Sequence, residues 1–406
     1  MSLRDSVLGI GAAGCEAAFD YLKVMLRGKV TPERTISEAQ FNRCLERLAG
    51  IHGVAAFLAH RAIEIGVLPE WPRAVARRLE DKLRAAAVRE MGARQALRAA
   101  LSGFASAGIR AVLIKGTPLA YTHYPAPHLR ERGDVDVFVA EDDRVRAHDV
   151  LLALGYTASA AWARHCGSYQ LQYGAPKASA LAYDIDLHWR INDRQVFAEA
   201  IRFEELWGSA VPVAELFEHA WAPKPVHALL VACIHRAHHM HVKYLVDGEA
   251  HFEANRLVWL YDIHALASGF TDLEWEEFIA LAVGRRIGNV CDNGLRAAEE
   301  HLETHLDPSI SERLLSRRER ELSRRLLSGR GGESYRWNDF VALRSLRDKS
   351  RLVADWLWPT KEHMAQKFNV PVERVTPTLY LQRALIWGGK QMWNRLYRVF
   401  VNRRRD

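Results

Sequence analysis

Apolar residues recur every three or four positions through the first hundred residues, which is the spacing of one buried helix face. Residues 72–103, rich in Ala, Arg and Leu, predict one long or broken helix. After Arg202 the same period predicts further helices at residues 226–240, 256–267, 275–283 and 295–302. Both ends of the chain are therefore predicted to be mainly helical.

A different pattern occupies residues 108–189. Short β-branched and aliphatic runs between turn residues predict strands at 111–114, 135–139 and 182–189, with a helix at 142–154. This predicts an α+β fold, in which a small domain of alternating strands and helices is embedded between helical regions. The expected divisions are a helical N-terminal region, the α/β core, a second helical region and a basic helical C-terminal region, at residues 1–102, 103–205, 206–328 and 329–406.

Composition supports an ordinary globular protein of 406 residues, 49% of them hydrophobic and 26% charged. The longest apolar runs fall far short of the roughly 20 residues that a membrane span needs. The N-terminus lacks the basic and apolar segments of a secretory signal. We expect a cytoplasmic protein without a transmembrane segment.

The five cysteines are scattered and contain no CxxC pair. This spacing suggests neither a disulfide framework nor a thiolate zinc site. We expect reduced, mostly buried thiols at Cys15, Cys44, Cys166, Cys233 and Cys291.

Positive charge is concentrated in the C-terminal quarter, where residues 311–406 hold 22 Lys and Arg against 10 Asp and Glu, a net of +12. Such a run is more often a solvated helical face than a binding surface, so a nucleic-acid partner is compatible but not favoured. The last predicted helix, residues 381–401, carries apolar, aromatic and basic residues that are also compatible with contact to a membrane surface.

Candidate chemistry begins where the first predicted strand ends, at Lys115, Gly116 and Thr117. Glycine allows close approach of backbone amides to a ligand, and the start of a helix favours phosphate. Eighteen residues after Gly116, Asp134 and Asp136 alternate with valines on a predicted strand and therefore point to one face.

A second predicted strand carries Asp184 and Asp186 with the same alternation. Three carboxylates from two adjacent strands suit a pair of divalent metals, an arrangement that serves phosphoryl or nucleotidyl transfer. A full Walker A sequence is absent, which disfavours kinase-like transfer of a γ-phosphate.

These motifs resemble the polymerase-β-like nucleotidyltransferase superfamily, and more closely its bacterial branch known simply as nucleotidyltransferase family proteins. The resemblance covers about residues 103–266 and is carried by KGT at 115–117, RERGDVD at 130–136 and DLHW at 186–189. Two departures are a Gly-Thr where Gly-Ser is common and a longer gap before the first aspartate.

The resemblance implies a small mixed sheet flanked by helices. It also implies transfer of an NMP from an NTP to a hydroxyl with release of pyrophosphate, using two Mg²⁺ ions with Mn²⁺ as a substitute. It implies that Asp134, Asp136 and Asp186 hold the metals, although Asp184 is an alternative third ligand. Gly116 and Thr117 would cradle the triphosphate, and the basic residues Lys115 and Arg130 would balance its charge.

The acceptor is left open between a small molecule, a peptide or protein, and RNA. The second helical region, residues 206–328, is expected to build its pocket. Two alternatives are a toxin-like enzyme that modifies RNA, which the basic C-terminal quarter favours, and an inactive nucleotide-binding or scaffold protein.

Several other polar residues lie near this pattern. His188 is expected to orient a metal ligand or to pack. His235 is expected to lie at the mouth of the site as a candidate substrate contact, and His238, His239 and His241 are expected to be solvated. Arg256 and Asp262 are interpreted as an ion pair or helix contact that orients their helix.

Overall fold

The computed structural model describes residues 12–29, 39–159, 169–177, 179, 181–316, 321–328, 333–343, 345–368, 370–383 and 385. The helices of the N-terminal half are α1 Ala12–Leu26, α2 Ala39–Ile51, α3 Ala55–Ile65, α4 Arg73–Ser106, α5 Gly116–Thr122 and α6 Arg144–Ala153. Those that follow are α7 Gln195–Ala198, α8 Phe203–Gly208, α9 Pro225–His239, α10 Leu257–Ser268, α11 Asp272–Gly284, α12 Gly288–Leu302, α13 Pro308–Leu314, α14 Glu333–Ala342, α15 Leu346–Leu357 and α16 Lys361–Phe368.

The central sheet has five strands in the order β1-β2-β5-β4-β3. Their bounds are β1 Ala111–Ile114, β2 Asp134–Val139, β3 Thr157–Ala158, β4 Gln170–Gly174 and β5 Asp184–His188. Only β2 and β5 pair in parallel; the other neighbours are antiparallel. Two further two-stranded sheets pair β6 Val211–Pro212 with β7 Trp221–Ala222, and β8 Tyr244–Val246 with β9 Glu249–His251. The predicted α+β class with a mixed sheet and helical flanks is confirmed.

Alternation along the strands gives the sheet two different faces. Val135 and Val137 of β2 pack with the end of α4 and with α6. Val112 and Phe138 lie on the opposite face and pack with α9, an apolar helix that buries Leu230 among others. Because Asp134 and Asp136 share the parity of Phe138, the carboxylates lie on the face that α9 covers.

The helical predictions agree with the structure where it describes them. Residues 73–103 belong to one unbroken helix, α4, with Pro72 at its N-cap, and its many Ala, Arg and Leu residues have high helix propensity. The N-terminus of α11 shows a complete capping box, in which Thr271 accepts from the Glu274 amide and Glu274 from the Thr271 amide. Of the last predicted helix, residues 381–401, the structure describes residues 381–383 and 385.

The prediction of reduced thiols is wrong for one pair of cysteines. Cys15 on α1 and Cys44 on α2 form a disulfide, because the packing of these helices brings together residues that are 29 positions apart in sequence. Cys233 and Cys291 are free and buried, as expected. Cys166 lies outside the described residues, and the cytoplasmic location stays a prediction.

Within the described part of the chain, every helix is too short or too polar to cross a lipid bilayer.

Candidate active site

Strand register brings four aspartates together on one face of the sheet. In the parallel pairing of β2 and β5, Asp134 lies opposite Asp184 and Asp136 lies opposite Asp186. On the other side of β2, Ile114 lies opposite Asp136, so the chain leaves β1 beside the same carboxylates. Residues 50 apart in sequence thereby become direct neighbours, as the common alternation of the two strands predicts.

Asp136 is the most strongly compensated of these carboxylates. Its Oδ1 accepts hydrogen bonds from Lys115 Nζ at 2.5 Å and from His188 Nε2 at 2.9 Å. Burial alone would raise the pKa of Asp136, but the charge of Lys115 and the hydrogen bond from His188 lower it well below its usual range. Asp136 is therefore ionised.

Asp186 and Asp134 behave in the opposite way. Burial, followed by repulsion from Asp136, raises the pKa of Asp186 to about 8 and that of Asp134 to about 6. Asp186 Oδ1 is buried without a hydrogen-bond partner among the described residues. Such an oxygen is costly to bury unless something absent from the structure binds it.

The two candidates for the third metal ligand have different surroundings. Asp186, Asp136 and His188 form a group whose potential ligand atoms all lie within 4.8 Å of one another. Asp184 instead accepts a hydrogen bond from the Ala175 amide at 2.9 Å. Asp186 as the third ligand stays a prediction, and His188 contacts Asp136 directly.

The Lys-Gly-Thr turn leads from β1 into α5. Lys115 has φ 59° and ψ −130°, a conformation that glycine adopts easily and other residues rarely do. A Cβ on Gly116 would come within 2.4 Å of the Arg130 guanidinium carbon, so only glycine fits there. Thr117 Oγ1 is buried and unpartnered among the described residues, as expected of a hydroxyl that awaits a ligand.

Arg130 makes contacts that the sequence did not indicate. Its guanidinium binds Asp262 of α10 through Nη2 at 2.6 Å and Nε at 3.2 Å, while Nη1 donates to the Glu131 carbonyl. Tyr124 Oη also donates to Asp262, at 2.8 Å. In the structure this guanidinium is paired with the buried carboxylate of Asp262. The contact of Arg130 with a triphosphate stays a prediction.

The expected ion pair at Asp262 is present, with Arg130 as its partner, and its role in orienting α10 stays a prediction. Arg256 takes no part in that ion pair: its Nε donates to the Ile51 carbonyl at 2.8 Å, and its guanidinium lies 4.7 Å from the Tyr244 ring centre. Sequence alone could not identify Arg130 as the partner, since it is 132 residues from Asp262.

Three histidines in the last turns of α9, His235, His238 and His239, lie close enough to Lys115 for its charge to lower their pKa values. His235 packs edge to face on Trp259 at 5.1 Å, and burial, with the charges of His239 and Lys115, lowers its pKa well below the usual value. The expectation that its neighbours are solvated is wrong. His239 stacks on Trp259 at 4.4 Å, His238 Nδ1 is buried without a partner among the described residues, and His241 contacts the Leu326 carbonyl.

A family model described as "Uncharacterised nucleotidyltransferase" matches residues 39–303, more than half of the chain. The matched range contains the five-stranded sheet, the Lys-Gly-Thr turn and α9 and α10. No curated protein matches the chain.

Proposed function

The chain belongs to this family and is a nucleotidyltransferase; we propose that it moves an NMP from an NTP to an acceptor hydroxyl with Mg²⁺, releasing pyrophosphate. The observation that carries the proposal is the register of Asp136 against Asp186 beside the Lys-Gly-Thr turn. Carboxylates and a phosphate-binding turn at one sheet edge are what such a transfer needs.

The donor set fits a divalent cation. Asp134, Asp136 and Asp186 offer the hard oxygen ligands that Mg²⁺ and Mn²⁺ accept. The buried, unpartnered Oδ1 of Asp186 is the kind of atom that a cation would satisfy. When bound, two such ions would lower the pKa of the acceptor hydroxyl and neutralise charge on the leaving pyrophosphate.

The protein's own groups supply the remaining parts of the reaction. Backbone amides at Gly116 and the hydroxyl of Thr117 hold the triphosphate at the start of α5. The acceptor oxygen forms a bond to the α-phosphorus, and the bond from that phosphorus to the α,β-bridging oxygen breaks, so pyrophosphate leaves with the electron pair. Asp186, which a bound cation would keep ionised, accepts the hydroxyl proton.

The histidines near the carboxylates give the site its acceptor side. His235, His238 and His239 project from the last turns of α9, and burial lowers the pKa of each. Neutral imidazoles donate and accept hydrogen bonds without adding positive charge. We propose that they orient the acceptor, which is a small molecule, a peptide or protein, or RNA.

RNA is one of the three acceptor classes, and the feature that bears on it is the net charge of +12 over residues 311–406. Part of this region packs next to the site: Asp339 of α14 accepts hydrogen bonds from Arg194 and from the Gln195 amide. RNA retention that falls steeply as salt rises would support this acceptor. Affinity for a small hydroxyl compound without RNA retention would exclude it.

The test is a screen of the purified full chain with each α-³²P-labelled NTP, Mg²⁺ or Mn²⁺, and lysate as the source of acceptor. The control variant is Asp134→Asn/Asp136→Asn. We expect label to move to one acceptor class with the wild type alone. If wild type and control label the same products equally, or if no NTP labels any acceptor across the lysate and RNA fractions, the proposal is wrong.

A further inference from the structure

The Lys115 ammonium lies within the group of side chains that fits a metal. Its Nζ is 2.5 Å from Asp136 Oδ1 and 3.5 Å from His188 Nε2. Asp136 and His188 are two of the three residues, with Asp186, whose ligand atoms cluster within 4.8 Å. An ammonium and a divalent cation would therefore compete for the same Asp136 oxygen.

The charge balance of the site depends on this lysine. Among the described residues, no other Lys or Arg lies within 4.0 Å of a carboxylate oxygen of Asp134, Asp136 or Asp186. Arg130, the other basic residue of the motif, is engaged by Asp262. Without Lys115, the repulsion among the buried carboxylates would be offset only by more distant charges such as that of Arg130.

The backbone supplies an independent observation. Lys115 has a positive φ of 59°, although a glycine there would be free of that strain. Residues held in such conformations persist where the surroundings impose them, and they cluster at functional sites. The turn that imposes this conformation also begins the proposed triphosphate cradle, since Gly116 and Thr117 follow directly.

We propose that Lys115 is a built-in counter-ion that occupies the metal subsite at Asp136 in the metal-free enzyme and leaves it when a divalent cation binds. The released ammonium then lies one residue from the phosphate cradle, where the NTP supplies a new anionic partner. The enzyme thereby keeps its carboxylates neutralised between turnovers and gains a phosphate contact once it is loaded. This inference rests on the proposed function, because it requires a divalent cation at the three aspartates.

The first test measures Mn²⁺ binding to the metal-free full chain, without nucleotide, from the electron paramagnetic resonance signal of free Mn²⁺. Lys115→Met removes the competing ammonium, so we expect it to bind Mn²⁺ roughly tenfold more tightly than wild type. Lys224→Met is the matched control, because Lys224 pairs with Glu277 of α11. That variant should bind Mn²⁺ as the wild type does. Equal or weaker binding by Lys115→Met would overturn the inference.

A second measurement uses the wild type alone and so does not depend on the folding of the variant. The rate of Lys115 acylation by an amine reagent, followed by mass spectrometry, should rise several-fold when Mn²⁺ is added, because the ammonium leaves Asp136. An unchanged or lower rate, with Mn²⁺ bound, would contradict the exchange. Failure of the proposed function would give a different result from failure of this exchange. Mn²⁺ would then bind neither the wild type nor Lys115→Met, or it would bind the wild type and Asp186→Asn equally.

Discussion

Asp136 on β2 lies directly opposite Asp186 on β5, and the two carboxyl groups have pKa values displaced in opposite directions. Lys115 and His188 keep Asp136 ionised, while burial and the charge of Asp136 raise the pKa of Asp186 to about 8. The two aspartates thus have different pKa values because their surroundings differ. In the account given above, Asp136 binds cations and Asp186 also takes the acceptor proton.

Replacing Asp186 tests this division of roles. Asp186→Asn should reduce NMP transfer by at least about a thousandfold while nucleotide binding persists, because it removes a metal ligand and the proton acceptor. Asp184→Asn is the matched control, since Asp184 bonds to the Ala175 amide, and should lose less than about tenfold. Single-turnover rates and nucleotide titration measure both effects. Similar losses in the two variants would contradict the assignment of Asp186.

The buried ion pair of Arg130 and Asp262 should hold α10 against the α/β core. Arg130→Met leaves the Asp262 charge buried with Tyr124 as its remaining side-chain partner among the described residues, so the free energy of unfolding should fall by about 3–5 kcal/mol. The double variant Arg130→Met/Asp262→Leu should recover part of that loss. Urea unfolding measures each value.

The control for this pair is Arg84→Met, which removes an exposed ion pair with Asp81 and should leave stability unchanged within error. If Arg130→Met were as stable as Arg84→Met, the pair would not connect these parts of the fold.

Gly116 should tolerate no side chain. A Cβ would lie 2.4 Å from the Arg130 guanidinium carbon, so Gly116→Ala must displace either the turn or Arg130. We expect nucleotide affinity to fall by about tenfold or more, as the phosphate cradle is distorted. Gly284→Ala, where a Cβ meets nothing within 4 Å, should leave affinity unchanged. Equilibrium dialysis with labelled NTP measures both, and equal affinities would contradict the close packing.

Much of the site's core could be predicted from sequence because its information is local. The alternation of Asp134 and Asp136 with valines specifies a strand face, and the same alternation at Asp184 and Asp186 specifies its neighbour. The features that the sequence does not predict depend on contacts between segments that are far apart in the chain. Neither the disulfide of Cys15 with Cys44 nor the strand β4 has a comparable local pattern.

The histidines show the same limit. Their spacing on α9 predicts a shared face, but not that Trp259 and the carboxylate face of the sheet lie against it. Similarly, a lysine before Gly-Thr suggests a phosphate contact, whereas its hydrogen bond to Asp136 depends on the pairing of β1 with β2.

Stability should decrease on acidification because of His52, which is fully buried and accepts a hydrogen bond from the Leu257 amide. Burial, with a contribution from Arg256, lowers its pKa from 6.5 to about 3. Between these values the unfolded chain binds a proton that the folded chain excludes, so the free energy of unfolding falls as pH falls. Above pH 6.5 this histidine contributes no pH dependence.

The measurement is urea unfolding at several values between pH 6 and pH 4. The slope of stability against pH should be smaller for His52→Gln than for wild type by up to about 1.4 kcal/mol per pH unit. His219→Gln, on an exposed histidine, controls for removal of an imidazole and should keep the wild-type slope. A wild-type slope in His52→Gln would mean that His52 is protonated in the folded protein.

If the aspartates of β2 and β5 transfer an NMP, the α-phosphate of the NTP must end up on the acceptor. Once an acceptor is found, wild type and Asp186→Asn are compared with α-³²P- and γ-³²P-labelled NTP. We expect the wild type to place the α-label on the acceptor and the γ-label in pyrophosphate, and we expect Asp186→Asn to do neither. Transfer of the γ-label to the acceptor, with formation of NDP, would contradict it.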